Sequence, residues 1–226
     1  MADRSISIFA EDAGQLGDVL RGRDEGGSLI DHGLVNRIGE LYPGVDTRLE
    51  VRPSTGITGL KAELESGDSP LLADPPDLLI LSIASEIDRF TTTERAPETV
   101  AAIESDLREV ITALKAVGVR TLVCNVTTVD HDDPIFTLSG RDAEPFTVSA
   151  QRLALLLSGM SRETGISVVD VDRVIAEAGG GKTIEGRLLN RSGCEHVLEE
   201  IVRIIEDYGF LDDRPLMDQV GVGAAS

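Results

Sequence analysis

The sequence predicts an α/β protein: a three-layer αβα sandwich built on a mostly parallel five-stranded sheet. Three observations carry that expectation. Short aliphatic runs alternate with longer segments of helical period, and glycines close several of those segments. The run Leu78-Leu79-Ile80-Leu81-Ser82-Ile83 is continuously apolar, which suits a central strand buried on both faces. Aromatic residues make up only 3% of the chain against 41% apolar overall, so the core must be filled by Leu, Ile, Val and Ala.

Ser5 to Phe9 reads as a first strand that runs out into Ala10-Glu11-Asp12-Ala13-Gly14. A helix is expected over residues 28–40, opened by Ser28, with Leu29, Ile30, Leu34, Val35 and Ile38 on its apolar side; Tyr42-Pro43-Gly44 terminates it. A second strand follows from about Thr47 to Val51, and Pro53 to Gly59 is a turn into a short helix ending near Gly67. Asp74-Pro75-Pro76-Asp77 then launches the apolar third strand. The most regular helix covers about residues 97–117, where Ile103, Leu107, Val110, Ile111, Leu114 and Val117 share one face and Gly118 closes it. Residues 120–126 give the fourth strand, completing the helix-glycine-strand rhythm of a βαβ crossover.

A polar, acidic loop over residues 127–146 breaks that rhythm. Next come a helix bearing Leu153, Leu156, Leu157 and Met160, a last strand from Ile166 to Val169, and a helical turn begun by Asp170 and Asp172 and ended by Gly179-Gly180-Gly181. The final helix spans about residues 194–208, with Val197, Leu198, Ile201, Val202 and Ile205 inward. One domain is expected over residues 1–210, with 211–226 a partly flexible tail.

Forty acidic residues face 21 basic ones, a formal charge of −19. Such a surface repels phosphate backbones and anionic lipid, so a small molecule is the expected partner, with neither nucleic acid nor membrane; the charge equally serves plain solubility. Oligomeric state is not legible. The opening residues lead straight into the first strand without a signal-peptide core, and the two cysteines, Cys124 and Cys194, lie far apart, so a cytoplasmic location with reduced thiols is expected. No cofactor motif is found: Gly179-Gly180-Gly181-Lys182-Thr183 lacks phosphate-loop spacing and does not follow a strand.

Parallel strands bring their carboxyl ends to one rim, where ligands of such sheets bind. Collected there are Glu11 and Asp12, the Ser54–Gly59 turn, Ser85-Glu86-Ile87-Asp88, the segment from Asn125 through His131 to Asp133, and the approach to His196. Several carboxylates with a histidine suit general acid/base work.

The order and spacing of these blocks resemble the SGNH hydrolases, or GDSL-type esterases and lipases, which have a flavodoxin-like sheet. The strand Ile6 to Phe9 with Ala10-Glu11-Asp12 resembles the family's opening strand and Gly-Asp-Ser, and Gly56 or Gly59 its second-block glycine. Pro76-Asp77 with the apolar run and Ala84-Ser85-Glu86 resembles Pro-Asp-run-Gly-x-Asn, and Ser192-Gly193-Cys194-Glu195-His196 the final Asp-x-x-His. The resemblance covers roughly residues 5–208. It places Asp12 at the serine nucleophile, Glu86 at the oxyanion-hole asparagine, Ser192 or Gly193 at the triad aspartate, and His196 at the histidine. A carboxylate at an oxyanion position opposes the charge of a tetrahedral intermediate, so ordinary serine-esterase chemistry is not expected. Gly67-Asp68-Ser69 spells the family motif but does not follow a strand.

Each candidate has a structural reading beside the functional one. Asp12 suits a proton partner of His196, a nucleophile, a cation ligand or a helix cap. Glu86 and Asp12 would form an acid/base pair if they approached, with His196 as base. Asp88 also suits a cap, Asp130-His131-Asp132-Asp133 a solvated loop, and the thiols of Cys124 and Cys194 burial. Three functions follow: a carboxylate/histidine enzyme on a small metabolite, a non-catalytic binding relative, or a hydrolase with Asp12 as nucleophile. Glu11, Gly56, Gly59, Ser85, Asp88, Asn125 and His131 complete the expected pocket.

Overall fold

The computed structural model describes residues 5–13, 15–23, 33–90, 94–128, 146–185 and 188–212. Five strands, β1 (Ser5–Asp12), β2 (Asp46–Pro53), β3 (Leu78–Ser82), β4 (Arg120–Cys124) and β5 (Ser167–Val169), form one parallel sheet in the order β2-β1-β3-β4-β5. That order is the flavodoxin-like one, with its switch point between β1 and β3. All five residues of β3 are buried, as its unbroken apolar run requires.

Helices cover both faces. On one lie α1 (Leu16–Arg21), α2 (Leu34–Leu41), α7 (Val171–Glu177) and α8 (Arg191–Asp207), packed on Ile6, Ile8, Ala10, Ile80 and Leu122. On the other lie α3 (Gly56–Ser66), α4 (Pro70–Ala73), α5 (Ala96–Ala116) and α6 (Phe146–Thr164), packed on Phe9, Leu79, Leu81 and Val123. The strand alternation decides the split: Ile8 and Ala10 point to the first core, and Phe9 between them to the second. On α5, Ile103, Leu107, Val110, Ile111 and Leu114 are all buried, as the helical spacing predicts, whereas Val117, expected on the same face, is the residue that caps the helix and is exposed.

Three further expectations need correcting. The first strand continues three residues past Phe9, because β2 pairs with it in register as far as Asp12 opposite Pro53. Val35, expected on the apolar side of its helix, is exposed, while Leu34 and Ile38 are buried; Leu29 and Ile30 lie outside the described residues. The final helix begins at Arg191 rather than near Cys194, because the Asn190 side chain caps it by accepting from Gly193 N at 3.1 Å. Leu211 is only 2% exposed and belongs to the first core, so packing reaches the start of the expected tail.

One element has no counterpart in the sequence reading. Strands β6 (Ile184–Glu185) and β7 (Leu188–Leu189) pair antiparallel as a separate two-stranded ribbon. No helix among the described residues is long and apolar enough to cross a membrane.

Candidate functional site

A cavity of about 150 Å³ opens at the carboxyl ends of β1, β3 and β4, on the α1 and α8 side of the sheet. Its walls come from Ala13 after β1, Ser82 and Ala84 after β3, Cys124 to Thr127 after β4, Leu16 and Val19 of α1, Val197 of α8 and the β6-β7 ribbon. This is the switch-point crevice where ligands of such sheets sit. Two roomier hollows lie away from the rim: one of about 370 Å³ at the amino ends of β4 and β5, and one of about 560 Å³ beside β5, where Arg173, Arg203, Glu200 and Asp207 are already paired with one another.

The few polar groups lining the cavity are engaged by the protein. Gln15 donates to the carbonyl of Leu189 at 3.3 Å and accepts from the Leu189 N–H, pinning the ribbon to the foot of α1. Asn125 donates to Asp170 at 2.9 Å and accepts from Val171 N at 2.7 Å, so it ties β4 to the start of α7. Thr127 Oγ1 donates to Asp172 Oδ1 at 3.3 Å, and Ser82 Oγ accepts from Ala84 N at 3.3 Å. Burial pushes the Cys124 thiol up to about 12, which keeps it protonated.

Asp12 and Glu86 are spent elsewhere. Asp12 Oδ1 accepts from Gly17 N at 2.8 Å in the first turn of α1, and Arg21 lies 3.9 Å from Oδ2. Gly17 must lack a side chain for this, since a Cβ there would collide with the carboxylate. Glu86, 2% exposed, accepts from Ile57 N at 2.8 Å and from Ser85 Oγ at 3.1 Å, and pairs with Arg89 at 2.8 Å. Gly56, at φ +73°, permits that approach: a Cβ would lie 3.1 Å from Glu86 Oε1. Glu11 points to the same side as Glu86 and is held by Arg52 at 2.6 Å and Ser54 at 3.3 Å. Burial raises the Glu11 carboxyl above its ordinary value, although Arg52 works against it.

His196 sits on the second turn of α8, with its side chain 43% exposed and Nδ1 3.6 Å from Glu199 Oε2. No hydrogen bond or ion pair joins any two of Asp12, Glu86 and His196 among the described residues. Of the other expected pocket residues, Asn125 lines the cavity, while Glu11, Gly56 and Ser85 gather around the Arg52 and Glu86 clusters. Gly59 lies within α3 against Thr55, Asp88 is exposed, and His131, with residues 129–145 of the acidic loop, falls outside the described residues. Ser69 is buried as the cap of α4, accepting from Leu71 N at 3.2 Å and donating to Glu63 at 2.6 Å. Sequence reasoning missed Gln15 and the ribbon residues Ile184, Leu188 and Leu189; the signal was a set of apolar residues in an otherwise polar, glycine-rich stretch.

The fold is that of the SGNH hydrolases, whose members resemble this chain at low identity. A lipolytic protein of the G-D-S-L family from Veillonella parvula shares 15% identity, with a TM-score of 0.59 over 90% of this chain and 98% of that one. A catalytic mutant of Axe2, an acetylxylan esterase from Geobacillus stearothermophilus, gives 15% and 0.59 over 89% and 94%. A lipase/acylhydrolase from Enterococcus faecalis gives 14% and 0.57 over 91% and 96%. No protein-family model and no curated protein matches the sequence.

Proposed function

We propose that this chain is a non-catalytic relative of the SGNH hydrolases that holds a small, largely apolar molecule in the rim cavity. One observation carries the reading: among the described residues the cavity is lined by no carboxylate, imidazole or cationic group. At the end of β1 the lining residue is Ala13, whose methyl offers no nucleophile, and from α8 it is Val197 rather than its neighbour His196.

The catalytic alternative with Asp12, Glu86 and His196 asks each carboxylate to leave the partners described above. It also needs N–H donors free to meet developing charge. Three at this rim are taken: Gly56 N donates to Ser54 Oγ at 3.0 Å, Ile57 N to Glu86, and Ala84 N to Ser82. The test is a screen of small acyl esters and thioesters from acidic to alkaline pH, on wild type, D12A, E86A and H196A. The expected result is no turnover above background in any of them. Turnover abolished by D12A or H196A in a folded protein would restore the enzyme reading.

A further inference from the structure

Resting on the binding reading above, we infer that the group this cavity accepts is uncharged and about the size of a benzene ring. Size comes first. Apolar protein cavities of about 150 Å³ take up benzene, and this one measures about the same. Its wall is mostly aliphatic, from Leu16, Val19, Val126, Val171, Leu189 and Val197. Such a surface favours hydrocarbon and gives a polar group nothing in exchange for lost water.

Charge is decided by what faces the space. A bound carboxylate would need a cation or several free N–H groups, and a bound ammonium would need a carboxylate. None of the described lining residues carries either charge, and the polar atoms of Gln15, Asn125 and Thr127 already have protein partners. The nearby carboxylate of Asp12 is turned to Gly17 N, and that of Asp172 to Thr127 and Thr128. Cys124 presents a neutral thiol. A net charge of −19 over the whole chain adds a second, longer-range bias against anions.

The experiment compares three probes of one size: toluene, benzoate and benzylammonium, titrated into the full chain by calorimetry and by thermal unfolding. A ligand that binds only the folded protein raises its melting temperature, by an amount that grows with the logarithm of its concentration over Kd. Toluene should bind saturably, and each charged probe at least about tenfold more weakly. Two filling variants at half-buried lining positions, Ala84→Leu and Val126→Phe, should each weaken toluene by about tenfold or more, so one that fails to fold leaves the other informative. A charged probe binding as tightly as toluene would overturn the inference and leave the binding reading intact. Toluene binding unchanged in the folded variants would place it outside this cavity and overturn the inference too, as would binding by none of the three. The binding reading falls separately, on ester turnover in the screen above.

Discussion

The two sides of the β1 and β3 rim are a few residues apart in sequence and opposite in chemistry. On the α1 side the chain presents Ala13, Leu16, Val126 and Val197 around an open space. On the α3 side it presents two sets of paired charges, Glu11-Arg52-Glu63 and Glu86-Arg89. The cause is strand geometry: successive side chains alternate, so Glu11 follows Phe9 to one face and Asp12 follows Ala10 to the other. A cluster of carboxylates in sequence is thus divided by the fold, one set tied to arginines and the other used as a helix cap. Acidic residues at a rim therefore define an acid/base site only once their faces are known.

The largest effect should come from breaking the locked side. Glu86→Ala leaves the Ile57 N–H without its acceptor and the Arg89 guanidinium with only Asp106 and Thr58, a loss on the order of 3 kcal/mol. Glu86→Gln keeps an acceptor and should cost about 1–2 kcal/mol. Denaturant unfolding checks both values. If the two sides are independent, folded Glu86→Gln binds toluene as wild type does; a weakened affinity would show them coupled.

That division marks what was legible in the sequence. The five strands and the apolar faces of α5 and α8 follow from local periodicity, which each segment carries within itself, and the parallel sense of the sheet from the alternation of strand and helix. The site does not, because it depends on where β1 ends. A strand stopping at Phe9 leaves Glu11 and Asp12 together in a loop, whereas pairing with β2 to Pro53 keeps them in the pleat and separates them. The β6-β7 ribbon, with strands of two residues each, is too short to show any period, yet it lines the cavity with Ile184, Leu188 and Leu189. Asn125 was legible as a rim residue, but its role in tying β4 to α7 is a long-range contact that no local pattern encodes.

A smaller effect is expected from loosening the open side. Gln15→Ala removes both bonds to the Leu189 backbone and should cost about 1–2 kcal/mol. Hydrogen exchange at the Leu189 amide should speed up in this variant, and so should release of bound toluene. Exchange unchanged from wild type would mean that the ribbon is held by its own packing rather than by Gln15.

Within the locked side, the two carboxylates that share Arg52 should respond to pH with opposite sign. Glu11 has its carboxyl raised by burial above the ordinary 4.5, so its contribution to stability is present below that value and is lost as pH rises through the folded-state value. For Glu63, partial burial works upward, but the bonds from Arg52 and Ser69 outweigh it and hold the carboxyl below 4.5. Its contribution is present above 4.5 and is lost as pH falls. The stability of wild type relative to Glu11→Gln should therefore decrease with rising pH, and relative to Glu63→Gln increase. Slopes of the same sign would mean that the shared guanidinium makes the pair titrate as one unit.

The smallest effect is expected at the residue that the family resemblance makes most conspicuous. His196 is 43% exposed, Glu199 lies 3.6 Å from it, and the cavity wall beside it is formed by Val197. His196→Ala should change stability by no more than about 0.5 kcal/mol and leave toluene affinity where it was. Val197→Ala, one residue on, should do more, because it removes buried methyls from the wall and enlarges the space. Unfolding and calorimetry on the two variants side by side check this ranking. The reverse order would mean that the imidazole reaches the bound molecule, and that the rim retains a polar side which the free protein keeps turned to solvent.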